Sequence, residues 1–175
     1  SGEVRVENGL VAGEFGEMFA AKDFLEIKGM DMNVHILADN NVWLKNSLAN
    51  LELSTDFYYK RERKTDQVFF SGSIQTLKGT VRFLNVPFQV REGVLTFSNS
   101  PEVLPAIDVT AETSVIYKER IGNELDVTGD ILNPVVLLTA DDPTLTREDI
   151  ISLLTFNRPA YDMAGEDAVA QKIGE

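Results

Sequence analysis

Residue types that do chemistry are few in this chain and badly spaced for it. The single histidine, His35, lies in an alternating segment without a serine or cysteine nucleophile signature beside it, whereas nucleophilic catalysis needs a base held against its nucleophile by a third group. His35 therefore reads as a surface or satisfied side chain. Asp141 and Asp142 stand before Pro143 and offer hard oxygen ligands, but the spaced oxygens of a calcium loop are missing. They read as turn residues ahead of a helix. Acid–base hydrolysis needs two carboxylates at a set separation in a polar cleft, and the acids here alternate along strand-like segments onto the wet side. Gly72, Gly79, Gly93, Gly122 and Gly129 fall in or next to such segments, and none opens a phosphate-cradling loop. Bulges, turns and close strand approaches account for them. No catalytic residue, metal site or cofactor is predicted, and the chain is not read as an enzyme.

The elements around these residues show one dominant period. In Ala49 to Tyr59, Leu51, Leu53, Thr55, Phe57 and Tyr59 share one side, and Asn50, Glu52, Ser54, Asp56 and Tyr58 the other. From Pro101 to Val115, Ile107, Val109, Ala111, Thr113 and Val115 oppose Asp108, Thr110, Glu112 and Ser114. This is the period-two pattern of strands wetted on one face. Met30, Met32, Val34 and Ile36 begin another such run, and Asp39-Asn40-Asn41 predicts a hairpin turn into Val42 to Lys45. Between Gly79 and Phe97, Asn-Val-Pro and Arg-Glu-Gly are expected to join two or three short strands. Glu124 to Leu132 alternates again, and Val135 to Thr139 is apolar on both faces, which predicts a strand covered on both. Seven to ten strands with short turns make an all-β meander.

One helix is predicted, over Arg147 to Phe156. Thr146 with Asp149 forms a capping-box pattern, and Ile150, Ile151, Leu153 and Leu154 line one face. Residues 1–29 read as an edge segment, with loose helical spacing from Phe15 to Phe24, and residues 157–175 as a weakly structured tail.

Composition excludes other functions. With 28 acidic against 16 basic residues, a net charge of −12 repels polyanions, whose binding depends on Lys and Arg releasing counterions, so nucleic acid is not an expected partner. The cluster Lys60, Arg61, Arg63 and Lys64 is interrupted by Glu62 and followed by Asp66, and reads as a solvated hairpin tip. Cysteine is absent, which removes disulfides and thiolate chemistry. The longest apolar runs are far short of the roughly 20 residues of a spanning helix. The Ser-Gly start without an initiating Met reads as a piece of a longer chain.

Four motifs occur in order: Gly79, Phe83, Phe88, Val90, Gly93 and Phe97; Pro101, Pro105 and Ile107-Asp108-Val109-Thr110-Ala111; Val127, Gly129, Asn133-Pro134 and Leu137; and Asp142-Pro143 leading into Glu148-Asp149-Ile150-Ile151-Ser152-Leu153-Leu154. Together, over residues 30 to 156, they resemble the conserved C-terminal region of the TamB family, the translocation and assembly module subunit of bacteria with two membranes. The resemblance implies an antiparallel or mixed sheet curled into a hydrophobic trough, a β-taco or incomplete β-solenoid, with one short helix near its C-terminal end. It implies the periplasmic part of an inner-membrane-anchored protein whose groove conducts phospholipid acyl chains. The partners it implies are those lipids, the outer-membrane barrel TamA and nascent outer-membrane proteins.

A meander with one greasy face and one helix has too little to cover that face unless the sheet curls. Alternation cannot by itself tell a filled sandwich from an open trough. With the resemblance, the expected groove lining is Leu51, Leu53, Phe57, Val81, Phe83, Phe88, Val90, Ile107, Val109, Val115, Leu125, Val127, Val135 and Leu137. The alternative function is a strand-pairing module that assists assembly of outer-membrane barrels.

Overall fold

Alternating segments become strands, and short polar breaks become turns, throughout the computed structural model of the chain, which describes residues 1–13, 30–100 and 104–163. Strands β1 (Gly2–Arg5) and β2 (Gly9–Ala12) both run parallel to the outer edge of β3 (Met32–Lys45). From β3 the chain meanders antiparallel through β4 (Ala49–Arg61), β5 (Val68–Phe83), β6 (Val86–Ser100), β7 (Ala106–Tyr117), β8 (Glu119–Asp130) and β9 (Asn133–Ala140). The order β1-β3-β4-β5-β6-β7-β8-β9 does not close on itself, so this is one open, curled, mixed sheet. Helix α1 follows at Arg147–Phe156, and residues 160–163 form a further helical turn.

Three irregularities keep the apolar side chains in phase along strands too long for ideal pleating. Asp39–Asn41, expected as a hairpin turn, is instead a bulge inside β3 between the pairs Ala38↔Thr55 and Val42↔Leu53. Three residues there oppose Ser54 alone, so Ala38, Val42 and Leu44 stay on one face. Glu52 fixes the bulge by accepting from the Asn41 N–H at 2.9 Å, and the Lys78 ammonium, 2.8 Å away, holds its carboxyl below the usual range. The second expected junction, Arg91-Glu92-Gly93, is also a bulge: Arg91 is the extra residue between Val90↔Ala111 and Glu92↔Thr110. One extra residue inverts the alternation, which puts Gly93, Leu95 and Phe97 on the face that Phe88 and Val90 occupy. Leu77 does the same for β5, between the pairs Glu52↔Lys78 and Leu53↔Thr76. The true β5–β6 turn is Leu84-Asn85, both at positive φ, the backbone of a tight two-residue hairpin, and Val86-Pro87 already belongs to β6.

The apolar face is the inner one. Leu44, Ala49 and Leu51 on β3 and β4 are as deeply buried as Leu125 and Leu138 on β8 and β9, yet α1 lies mainly against β7 and β9. Only a sheet that bends its two sides toward each other buries both from water. Leu44, Leu51, Phe88, Val90, Ala111, Leu125 and Leu138 form one core cluster with Ile150 and Leu154 of α1.

Helix α1 has the predicted bounds and cap. Thr146 Oγ1 accepts from the Asp149 N–H, and the Asp149 carboxylate accepts from the Thr146 N–H at 3.1 Å and from its hydroxyl at 2.7 Å. These bonds, the Thr146 hydroxyl foremost, depress the carboxyl's pKa. Asn157 ends the helix in the left-handed conformation, its N–H bonded to the Leu153 carbonyl at 2.9 Å. Residues 157–163 then turn back onto α1 instead of trailing loosely: Pro159 is fully buried, the Tyr161 N–H reaches Asp149 Oδ1 at 3.2 Å, and the Tyr117 hydroxyl bonds the Asp162 carboxylate. The segment from Phe15 to Phe24, expected to have loose helical spacing, lies outside the described residues.

Candidate functional site

Cross-strand register sets the inner face row by row, because residues directly opposite in an antiparallel ladder point the same way. At one end Phe57 pairs Gly72, which pairs Phe97, and Ile107 pairs Gly129. Gly72 carries no side chain, and the Phe57 and Phe97 rings close over it with centroids 6.0 Å apart, aromatic cover of a strand glycine. Phe70 and Tyr59 complete this aromatic end, with ring centroids 5.5 to 6.1 Å apart. In mid-face Leu53, Ile74, Leu95, Val109 and Val127 remain half-buried. At the other end Leu51, Val81, Phe83, Phe88, Val90, Val115 and Leu125 lie in or against the cluster beneath α1, and Phe88 is 0% exposed.

All of the expected lining residues share this face except two. Val135 pairs Thr128 and Leu137 pairs Asp126, so both point outward, 67% and 56% exposed. Their inward neighbours Val136 and Leu138 take the assigned places. A strand apolar on both sides carries no phase in its sequence, and the expectation that both faces of β9 are covered is corrected with it. Residues that sequence reasoning omitted are Val34, Ile36, Ile74, Leu95 and Ile121. The inversions at Leu77 and Arg91 hid two of them.

Charge is segregated to the outer face. His35 lies there between Asp56, 2.8 Å from Nε2, and Glu3, 3.7 Å from Nδ1, stacked on Tyr58 at 4.1 Å. Its ring is a cross-strand staple, with both nitrogens engaged and no nucleophile beside it. Arg91 pairs Glu112 at 3.1 Å on the same side. Among the described residues, the one strand cation directed inward is Arg61, at the aromatic end. It is buried rather than solvated, with Nε and Nη2 2.9 and 2.7 Å from Asp66 Oδ1, and that pairing raises its pKa. The rest of the β4–β5 tip is solvated or half-buried, as expected from the charge pattern.

Two open hollows lie among the described residues. One of about 650 Å³ lies on the polar outer face, lined by Thr80, Gln89, Glu112, Arg120 and Asp141, and one of about 410 Å³ sits at the β4–β5 tip among Asp31, Asn33, Lys60, Arg61 and Lys64. The inner face is methyl, methylene and aromatic surface, buried in the cluster beneath α1 and partly exposed in its middle. Among the described residues, no group of three or more His, Asp or Glu side chains is placed to hold a metal ion, and no helix is long and apolar enough to cross a membrane. No curated protein matches the chain. A family model does: that of the TamB C-terminal domain, over residues 18–174.

Proposed function

We propose, from the premise that this chain belongs to the TamB family, that its inner face is a track for the acyl chains of phospholipids moving between the two membranes of the bacterial envelope. The coarser role is that of the family, a component of the translocation and assembly module. The observation that supports the finer one is the residual exposure of the inner face. Leu53, Ile74, Leu95, Val109 and Val127 form a continuous apolar strip across β4 to β8 that the protein's own atoms leave partly exposed. Each methylene that leaves water on this strip contributes about 0.8 kcal/mol, so about ten such contacts hold a lipid without any specific polar bond. The absence of charge along the strip lets a chain slide, since no position binds it much more tightly than the next. The headgroup stays at the furrow's open side, in water, and the segment works in the periplasm.

Val109→Asp tests this reading, with Leu137→Asp as its control on the opposite face. In a lipid-transfer assay with the intact protein, Val109→Asp is expected to abolish transfer while circular dichroism retains the sheet, and Leu137→Asp to leave transfer unchanged. Equal transfer by both variants overturns the proposal.

A second reading rests on a separate observation. Among the described residues, strand β9 ends the sheet with no further strand on its edge, and it displays Val135 and Leu137 outward. An exposed apolar edge is a template for another strand, which suits a role in handling nascent outer-membrane strands. Lysine at both positions would blunt that edge without touching the inner face.

A further inference from the structure

The two ends of the inner face have the same strands and the same alternation, but not the same cover. At one end Phe88, Ala111 and Leu125 are sealed, at the other Tyr59 and Phe97 are buried among the aromatic rings, and in the middle Leu53 and Ile74 are partly exposed. Helix α1 lies at the first of these ends, where its Ile150 and Leu154 join the cluster that the curl of the sheet brings together.

We propose that α1 is a removable stopper: the furrow is blind at this end in the state described, and an acyl chain passes only when the helix lifts. This rests on the lipid-track reading above. The helix has ten residues, too short to persist in water unaided, so what holds it down decides whether the furrow is open. Its main approaches are to β7 and β9, toward one side of the sheet, and the loop before it is anchored at Asp141, which exchanges two hydrogen bonds of 3.0 Å with Gly122 of β8, so the helix pivots beyond that residue.

Its fastenings are polar and clustered in the returning segment. Tyr161 N–H bonds Asp149, Ser152 Oγ lies 3.2 Å from Met163 Sδ, and Tyr117 bonds Asp162. Such bonds exchange with water at little net cost. The apolar contacts beneath are the kind an incoming hydrocarbon chain replaces in kind, which is the differential affinity that shifts a population toward the lifted state. The lifted helix rests its apolar face on the chain that has taken its place.

The test uses the intact protein carrying Tyr117→Cys and Asp162→Cys, two positions in a segment that has no cysteine of its own. A bis-maleimide then ties the returning segment, and with it α1, to β7. A photoreactive azidophenylalanine stands either at Phe57, in the open half, or at Phe83, against the covered cluster. In cells or in a transfer reaction with phospholipid vesicles, the tied protein is expected to keep its lipid adduct at Phe57. It loses the adduct at Phe83 by at least about tenfold relative to the untied protein, the ratio that 1.4 kcal/mol represents.

Equal adducts at Phe83 with and without the tie overturn the stopper, as does an absent Phe83 adduct in both states beside a strong one at Phe57. Adducts at neither position overturn the track itself. As a second variant, Thr146→Ala removes the cap without touching the inner face and is expected to raise the Phe83 adduct about fivefold. A decrease contradicts the proposal.

Discussion

Alanine at Gly72 and at Gly129 separates two costs that the fold combines, and the pair tests whether the curl depends on close strand approach. Both glycines have positive φ, +114° and +98°, so an added Cβ at either strains the backbone by about 1–2 kcal/mol. They differ in space. At Gly72 the new Cβ would lie 2.3 Å from the Asp56 carbonyl oxygen and 2.7 Å from Phe57 Cα, both backbone atoms of β4; at Gly129 the nearest atom is the Val135 nitrogen at 3.9 Å. Relief at Gly72 requires β4 and β5 to part beneath the stacked Phe57 and Phe97 rings, an overpacking cost of about 1–3 kcal/mol. Lost freedom of the unfolded glycine returns about 0.4–1 kcal/mol in each variant. Gly129→Ala is therefore expected within about 1 kcal/mol of the parent and Gly72→Ala about 2–4 kcal/mol below it. At about 2–4 °C per kcal/mol for a chain of this size, the two melting temperatures should differ by about 5–10 °C. Thermal unfolding followed by circular dichroism measures this. Gly72→Ala melting within about 2 °C of Gly129→Ala would refute the steric argument.

Two further outcomes follow from the same geometry. Phe88→Ala removes a fully buried ring at the sealed end and should cost about 3–5 kcal/mol in denaturant unfolding, whereas Leu137→Ala on the outer face should stay within about 0.5 kcal/mol. The Asp149 carboxyl is depressed by the Thr146 hydroxyl, so the stability it contributes is present above the unfolded value near 4 and lost as pH falls through the lower folded value. Asp149→Asn should therefore flatten the acid limb of the stability curve of α1, measured by proteolysis of the 141–163 segment between pH 5 and about 2.

Period-two alternation made the inner face legible wherever polar and apolar residues took turns, as from Ile107 to Val115 and from Leu51 to Tyr59. The helix was legible because its start is written locally, in Thr146 and Asp149. What sequence could not place were phase changes. Asp39–Asn41 has turn composition, but Glu52 from the neighbouring strand supplies the bond that makes it a bulge, and that partner is visible only after β3 and β4 are aligned. Arg91 and Leu77 are single extra residues with nothing in their types to mark them. Val135 to Leu138 offers four apolar residues in a row, so only the pairing of Leu125 with Leu138 decides which two face inward. Arg61 reads as solvent-exposed until the tip folds Asp66 back onto it.

A photoreactive residue moved one position at a time along β7, from Ile107 to Glu112, tests the lipid track most directly. The account predicts phospholipid adducts at 107, 109 and 111 and none at 108, 110 and 112, following the side chains from the inner face to the outer. Adducts without that alternation, or protein adducts alone at the inward positions, would contradict it.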